Sequence, residues 1–197
     1  MNNIDRFDSG DIASFADAYF DYLKQILDQI DRDALRKFVE TIRDARDRGA
    51  TVFLMGNGGS AATASHFAND FCFGTGEKEA HYRFFSLTDN IASITALGND
   101  FGYDQIFVKQ LEVFAKPDDV LIGISASGNS PNLVNGFEYG KKKGLTLLAL
   151  TGFDGGRLKA AADICIHVPT QKNEYGPTED AHMILDHLIS NFLSRSN

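Results

Sequence analysis

The sequence predicts an α/β fold in which helices alternate with the strands of a parallel sheet. Three observations carry this prediction. The first fifty residues place apolar side chains at three- and four-residue steps, as amphipathic helices do. From Thr51 onward, short β-rich runs alternate with helical stretches, a pattern typical of parallel strands joined by crossover helices. The length of 197 residues suits one such domain, so we predict a single domain over 1–197.

The N-terminal region, residues 1–50, predicts a helical pair that extends this domain. Apolar residues recur at helical spacing over 12–30 and again over 35–42. Asp31 and Asp33 separate the two runs and can cap the second helix. The first helix is apolar over a wide arc, so it either covers an edge of the sheet or contacts another subunit.

Five strands are predicted after this pair, each a short apolar run. They cover residues 51–56, 82–87, 120–124, 145–150 and 164–168. Helices are predicted between and after them, at residues 60–73, 90–97, 104–114, 130–143 and 178–193. In open parallel sheets, ligands bind at the carboxyl ends of the strands, where loops lead into helices. Functional residues are therefore expected in those loops.

Composition and charge narrow the class of function. Hydrophobic residues make up 43% of the chain and charged residues 23%, which is typical of a folded soluble protein. The net charge of −8 argues against partners such as nucleic acid or an anionic membrane. Cys72 and Cys165 are the only cysteines, which favours a reducing, cytoplasmic setting. The acidic N-terminus does not suit an export signal, and no apolar run could span a bilayer.

The loop after the first strand, Gly56 to Ser60, is a candidate anion site. It reads Gly-Asn-Gly-Gly-Ser and leads directly into a helix, whose N-terminal N–H groups can bind an anion. The loop also satisfies a relaxed dinucleotide-binding pattern, but Asp89 follows it by about thirty residues rather than about twenty. No Lys-Ser or Lys-Thr pair is present, as a P-loop would require. The alternative is a tight turn that needs glycine for steric reasons only.

A second loop, residues 125–130, decides between these interpretations. It follows the third predicted strand and reads Ser-Ala-Ser-Gly-Asn-Ser, with Pro131 just inside the next helix. Three hydroxyl groups at one helix N-terminus suit a phosphate monoester, whose charge is met by the helix dipole and hydrogen bonds. A dinucleotide-binding fold does not need this second loop. The alternative is a serine-rich turn that only caps the helix.

Histidine and carboxylate side chains recur on two predicted helices. His66 and Asp70 are four residues apart, so they share one helix face close to the first loop. On the last helix, Glu179 and His187 are eight residues apart, which is about 80° around the helix axis. Two imidazoles and two carboxylates are plausible zinc ligands, although each histidine taken alone is more often structural.

Two further titratable residues lie on the last helix. His182 and Asp186 are four residues apart, the spacing of an i,i+4 pair. We expect them to form an ordinary interaction on the helix face, with His182 as a spare ligand at most.

Five segments form a pattern that is more specific than any single loop: Gly56–Ala62, His66–Ala68, Gly98–Asp100, Gly123–Ser130 and Leu150–Gly156. Together they resemble the sugar isomerase (SIS) domain, and most closely its phosphoheptose isomerase branch, the sedoheptulose-7-phosphate isomerases. The similarity spans nearly the whole chain, including the N-terminal helices, and the two loops occur in the family's order.

This resemblance implies a fold, an assembly and a substrate site. The fold would be a three-layer α/β/α sandwich of the flavodoxin-like kind, with a five-stranded parallel sheet. The assembly would be a homotetramer with sites at subunit interfaces, and the ligand a small phosphorylated sugar. The residues expected to contact the sugar are Asn57, Gly58, Gly59, Ser60, Asp89, Ser125, Ala126, Ser127, Ser130 and Glu179.

The resemblance also implies one divalent metal ion per subunit, usually zinc. The matching ligand positions are His66, Asp70, Glu179 and His187, of which Asp70 and His187 are expected to be the acid–base catalysts. Two of these positions depart from the family pattern. Asp70 stands where Glu is usual, and Glu179 stands where Gln is usual.

The sequence therefore predicts an aldose–ketose isomerase that converts sedoheptulose 7-phosphate to a heptose 7-phosphate through a metal-assisted enediolate. Isomerisation of another phosphosugar is an alternative, because Gly74 and Gly176 stand where the family often has Arg and Asp. A non-catalytic protein that binds a phosphosugar or a partner is a second alternative, since Asp70 and Glu179 depart from the pattern. A nicotinamide-dependent dehydrogenase has only the relaxed glycine pattern in its favour.

Overall fold

The computed structural model of the chain describes residues 7, 10–74 and 81–195. These residues form eight α-helices around one five-stranded sheet in which every strand pairing is parallel. The predicted fold class is thereby confirmed. Within the described ranges, no helix combines the length and apolar character needed to cross a bilayer.

The elements follow the predicted alternation. The strands are β1 (Thr51–Met55), β2 (Arg83–Ser86), β3 (Val120–Ser125), β4 (Thr146–Thr151) and β5 (Ile164–His167). The helices are α1 (Ile12–Asp28), α2 (Arg32–Asp47), α3 (Gly59–Asn69), α4 (Ile91–Phe101), α5 (Ile106–Phe114), α6 (Pro131–Lys143), α7 (Gly156–Ala161) and α8 (Tyr175–Arg195). A π-helical turn, Asp70–Gly74, continues α3, and a 3-10 turn, Tyr103–Gln105, precedes α5.

The sheet has the strand order β2-β1-β3-β4-β5. Connections from β1 and from β3 therefore run in opposite directions across the sheet, and the loops that follow these two neighbouring strands leave a crevice between them. Met55 in β1 lies opposite Gly123 in β3, so the two strands end at nearly the same level. The glycine loop and the serine loop are consequently neighbours at the switch point of the sheet.

Helices cover both faces of the sheet and create two hydrophobic cores. Strand β1 shows the division, because alternate side chains point to opposite faces. Val52 and Leu54 belong to the core under α2, α3 and α8, which includes Phe38, Phe67 and Leu185. Phe53 and Met55 belong to the core under α5, α6 and α7, which includes Phe107, Phe137 and Leu158. The result is the expected three-layer α/β/α sandwich.

Helix α1 contributes little to either core. Ile26 is its one buried residue, and Ile12 and Phe20 are 81% and 65% exposed. The helix is held to the start of α8 by the hydroxyl of Tyr19, which donates a 2.5 Å hydrogen bond to the carboxylate of Asp180. Contact of α1 with another subunit stays a prediction.

Candidate active site

The glycine loop forms a tight turn that exposes the N-terminus of α3. Gly58 adopts a φ of +54°, a conformation that favours glycine, and the helix begins at the next residue. Within the described residues, no side chain caps this end of α3. Ser60 is buried in the first turn. The N–H groups of this turn are therefore suited to an external anion.

The predicted substrate residue Asn57 is held rigidly beside this turn. Its side-chain amide pairs with the amide of Asn132 through hydrogen bonds of 2.9 Å. The hydroxyl of Tyr103 donates a third bond, also 2.9 Å, to Asn57 Oδ1. Because Asn132 lies in the first turn of α6, this network ties the glycine loop to the helix that follows the serine loop.

The serine loop is ordered by hydrogen bonds between its own residues. Ser125 Oγ accepts a 3.1 Å bond from the backbone N–H of Gly128, and Ser127 Oγ accepts a 3.3 Å bond from that of Asn129. Gly128 has a φ of +62°, and a Cβ atom there would lie 2.0 Å from the carbonyl oxygen of Gly155. A glycine is therefore required where this loop packs against the β4–α7 loop.

The end of the serine loop argues against a purely capping role. Ser130 is the N-cap residue of α6, but its side chain makes no capping hydrogen bond within the described structure. Ala126, another predicted substrate residue, is buried, and its carbonyl accepts a 3.0 Å bond from the N–H of Gly152. The hydroxyl of Ser130 therefore lies at the N-terminus of α6 but forms no capping hydrogen bond with it.

Glu179 lies over the glycine loop rather than beside the histidines. The backbone of Gly59 is so close that a Cβ atom there would meet a Glu179 carboxylate oxygen at 2.2 Å. Burial raises the pKa of Glu179, and the negative charge of Asp180 raises it further. The side chain therefore lies beside the N-terminus of α3, and its contact with the sugar stays a prediction.

Asp89 follows the carboxyl end of β2 and lies next to Ser65 of α3. It accepts hydrogen bonds from the hydroxyls of Ser65 and Thr88 and is itself exposed. The carboxylate lines a cavity of about 770 Å³ whose wall also includes Phe85 and Ile91. Asp89 is therefore attached to the helix that carries His66.

The centre of the candidate site is a cluster of four side chains where α3 meets α8: His66, Asp70, Asp186 and His187. Each contributes one nitrogen or oxygen atom, and these atoms all lie within 4.8 Å of one another. The Nε2 atoms of His66 and His187 are 3.0 Å apart. His66 Nε2 lies 3.5 Å from Asp70 Oδ2 and 3.9 Å from Asp186 Oδ2. Such a set can bind a divalent metal ion.

The cluster contains three of the four predicted metal ligands. Glu179 is not a member of it, because its carboxylate occupies the space left by the missing side chain of Gly59. Asp186, which we did not predict as a ligand, is a member. The only hint in the sequence is that Asp186 directly precedes His187, and nothing in the spacing shows which side chains of α8 face α3.

Asp186 is the most unusual member of the cluster. Its side chain is fully buried, and neither carboxylate oxygen has a hydrogen-bond partner among the described residues. Burial raises the pKa of Asp186 to about 7, with a smaller contribution from the negative charge of Asp70. The expected i,i+4 hydrogen bond to His182 is therefore not formed.

Asp70 is positioned by a local irregularity of the helix. It starts the π-helical turn at the end of α3, and its Oδ1 accepts a 3.1 Å hydrogen bond from the side chain of Asn69. Such π-turns are rare and often occur at functional sites, because the extra residue re-aims the side chains of one helical turn. Here the turn leaves the other oxygen of Asp70 facing His66.

Comparison with known proteins finds a family model and curated relatives that include phosphoheptose isomerases. Residues 18–152 match the model of the SIS domain family. A phosphoheptose isomerase from Sulfurimonas denitrificans is 39% identical over 144 residues, which cover 73% of each chain. A phosphoheptose isomerase from Aliarcobacter butzleri is 39% identical over 154 residues, which cover 77% of each chain.

Solved structures of similar proteins agree. A phosphoheptose isomerase from Neisseria gonorrhoeae superposes with a TM-score of 0.83 at 29% identity, over 93% of this chain and 96% of that one. A phosphoheptose isomerase from Francisella tularensis gives a TM-score of 0.82 at 25% identity, over the full length of both chains.

Proposed function

The chain belongs to the SIS domain family and, within it, to the phosphoheptose isomerases, and we propose that it converts sedoheptulose 7-phosphate to a heptose 7-phosphate. It is a phosphosugar isomerase by this membership. One observation of the site carries the proposal for its substrate. Helix α3 begins at a glycine loop suited to phosphate and carries His66 of the His–Asp cluster within two turns.

The phosphate group binds between the N-termini of α3 and α6. The first turn of α3 has backbone N–H groups that no side chain caps within the described residues, Ser130 makes no capping bond to α6, and both helix dipoles favour a negative charge there. Hydroxyl groups from the two loops complete the site, because they can donate to phosphate oxygens without a lysine. They are those of Ser60, Ser125, Ser127 and Ser130.

The distance from this phosphate site to the cluster suits a seven-carbon sugar. Ser60 and His66 are six residues apart on α3, which at 1.5 Å per residue is about 9 Å. That length is comparable with an extended heptulose from its phosphate to C1 and C2. Binding of the remote phosphate therefore holds the reacting carbons at the cluster, and this positioning lowers the barrier.

Asp70 and His187 carry out the proton transfers. A base removes a proton from C1 of the ketose, an enediolate forms, and the proton returns at C2. A second proton moves from the C1 hydroxyl to the oxygen on C2, so no atom or electron is gained or lost overall. We assign the carbon-bound proton to a carboxylate oxygen of Asp70 and the oxygen-bound proton to the imidazole of His187, through the ring nitrogen that is not a metal ligand.

The donor set of the cluster fits a zinc ion. Zinc accepts imidazole nitrogen and carboxylate oxygen in one tetrahedral site, and the buried, unpartnered carboxylate of Asp186 calls for a positive charge nearby. We assign one ion per subunit to His66, Asp70 and His187. When bound, it supplies polarisation of the substrate carbonyl and stabilises the negative charge that develops on oxygen.

Three polar side chains around the phosphate loop bind the sugar hydroxyls: Asn57, Asp89 and Glu179. Asn57 is fixed by Asn132 and Tyr103, so it presents a defined face to the ligand. We assign to Glu179 a hydrogen bond accepted from a sugar hydroxyl beside Gly59. This role replaces the metal-ligand role that the resemblance gave to Glu179.

The resemblance extends to assembly and location. We propose a homotetramer whose sites lie at subunit interfaces, because large apolar side chains are exposed next to Asp89. We also propose that the enzyme works in the cytoplasm. Cys72 and Cys165 are both free thiols, as a reducing compartment requires.

The test is an assay of sedoheptulose 7-phosphate conversion by native, chelator-stripped and zinc-restored protein, and by His187→Ala. We expect turnover to be lost on stripping and regained with zinc, and the variant to lose on the order of 100- to 10,000-fold. Unphosphorylated sedoheptulose should turn over far more slowly, since the phosphate positions the reacting carbons. Equal turnover of the two sugars, or full activity of the variant, would contradict the proposal.

A further inference from the structure

Among the described residues, no lysine or arginine forms an ion pair with the buried carboxylate of Asp186, and the one group within 4.0 Å that could carry a positive charge is the imidazole of His66. The side chain of Asp186 has no solvent exposure, and both of its oxygens are without a hydrogen-bond partner among the described residues. An ionised carboxylate in such a place is strongly unfavourable unless a positive charge compensates it. The residue is therefore either a neutral acid or a ligand of a cation.

The surroundings of Asp186 favour a cation. Its Oδ2 atom lies 3.9 Å from Nε2 of His66, and one ligand atom from each of four residues fits within 4.8 Å. The two imidazole Nε2 atoms face each other at 3.0 Å. Two nitrogen lone pairs and two carboxylates that converge on one small space are each stabilised by a shared divalent ion, and zinc takes four such ligands.

We propose that Asp186 is the fourth protein ligand of the metal ion, in the position that the family pattern gives to residue 179. This inference rests on the metal assignment made for the proposed function. It follows from the packing of α8 on α3. Asp186 and His187 are adjacent and both reach the cluster, whereas the carboxylate of Glu179 lies on Gly59.

The assignment separates the roles of the two acidic residues on α8. Asp186 holds the ion from the buried side, while His66 and His187 hold it from the solvent-facing side, where His66 is 43% exposed. Glu179 is left free to contact the sugar. Four protein ligands do not prevent catalysis by the ion, since zinc sites can expand to five-coordinate when substrate binds.

The experiment compares Asp186→Asn with Glu179→Gln, two changes of a carboxylate to the matching amide on the same helix. Chelator-stripped proteins are titrated with zinc against a chromophoric chelator, and with cobalt(II), whose visible absorption reports the ligand set. We expect Asp186→Asn to weaken zinc binding on the order of 10- to 100-fold or more and to change the cobalt spectrum. We expect Glu179→Gln to leave both unchanged.

The melting temperature of each protein, with and without zinc, distinguishes a ligand from a structural residue. Without metal, Asp186→Asn should melt no lower than native protein, because the change removes a buried, uncompensated carboxylate. With saturating zinc, the native protein should gain more stability than the variant. If Asp186 is a ligand, Asp186→Asn thus lowers the melting temperature only when zinc is bound. If the residue is needed only for folding, the variant melts at a lower temperature with and without zinc.

Native zinc affinity in Asp186→Asn, or an equal loss in Glu179→Gln, would overturn the inference. The same holds if native protein binds no zinc. These outcomes are separate from the proposed function, because conversion of sedoheptulose 7-phosphate by native protein is assayed independently. Turnover with an unaltered variant affinity leaves the isomerase standing and removes Asp186 as a ligand. Tight zinc binding that needs Asp186, without turnover of sedoheptulose 7-phosphate, supports Asp186 as a ligand and contradicts the proposed isomerase function.

Discussion

The imidazole of His182 links the packing of α8 to the stability of the protein. The side chain is fully buried, neither ring nitrogen has a hydrogen-bond partner among the described residues, and burial lowers its pKa to about 4. In the unfolded chain the pKa returns to about 6.5. Between these two values the unfolded chain binds a proton that the folded protein excludes. The free energy of unfolding therefore falls as the pH is lowered from above 6.5 towards 4.

We predict that this fall in the free energy of unfolding is up to about 3 kcal/mol. It should be absent in His182→Gln, because glutamine does not titrate. The measurement is urea denaturation of metal-free native and variant protein at several pH values between 4 and 7.5. The difference in unfolding free energy between the two should shrink as the pH falls. Parallel curves over the whole range would show that His182 binds a proton as readily in the folded protein as in the unfolded chain, and would contradict the prediction.

At the scale of residues, the sequence predicted that histidines and carboxylates form the site, but not which carboxylate of α8 joins the cluster. His66 and Asp70 share one face because they are four residues apart, and His187 on α8 joins them as the resemblance implied. The choice between Glu179 and Asp186 could not be predicted in this way. It depends on how α8 lies against α3 and on the absence of a side chain at Gly59, both of which are properties of packing.

At the scale of elements, the serine loop depends on its contact with the β4–α7 loop. Gly128 has a positive φ, and any Cβ atom there meets the backbone of Gly155 rather than a side chain that could move. We predict that Gly128→Ala lowers the free energy of unfolding by about 2 to 4 kcal/mol, from backbone strain and overpacking together. Affinity for the phosphosugar should fall as well, because the loop carries Ser125, Ser127 and Ser130.

Gly98→Ala is the matched control for this prediction. Gly98 lies inside α4, and a Cβ atom there would make only an ordinary 3.8 Å contact with Ile106. This change should stabilise the protein by about 0.5 to 1 kcal/mol, since alanine loses less backbone entropy in a helix. Urea denaturation and the KM for the phosphosugar report both effects. Equal effects of the two substitutions would contradict the role of the Gly128 contact.

Each element that the sequence failed to predict correctly has its own physical reason. Helix α7 has only six residues, too few for a repeating apolar pattern, and the glycine turn before it hides its start. The π-turn at Asp70–Gly74 was predicted as plain helix, because one extra residue in a turn leaves helical periodicity almost intact. Helix α4 continues through Gly98 to Phe101, past the predicted end at residue 97, since one glycine weakens a helix without ending it.

At the scale of the whole molecule, the strand number and the parallel direction were predictable and the strand order was not. Each strand is a short apolar run, and long helical connections require parallel neighbours. The order β2-β1-β3-β4-β5 arises from the direction of each crossover, which the spacing of strands along the chain does not determine. That order brings the glycine and serine loops together, so the site is a property of the assembled sheet rather than of either motif.

The surface beside the site indicates how the chains assemble. Four large apolar side chains form a patch at the β2 edge of the sheet, namely Phe73, Phe85, Ile91 and Phe114, and they are 83%, 45%, 76% and 49% exposed. The rings of Phe85 and Phe114 are 5.4 Å apart, and the other two residues line the same cavity as Asp89. A contiguous apolar patch of this kind is typical of a subunit interface, and here it borders the predicted sugar site.

If the chain assembles as the proposed homotetramer through this patch, we predict that Ile91→Asp dissociates it and lowers isomerase activity. Ile91 is the first residue of α4, where an acidic side chain complements the helix dipole, so the subunit should still fold. Ile91→Leu keeps the surface apolar and should retain both assembly and activity. Light scattering after size-exclusion chromatography gives the mass of each protein, and circular dichroism checks the fold. If Ile91→Asp remains tetrameric while Ile12→Asp dissociates, the interface lies on α1 and the patch at β2 has another role.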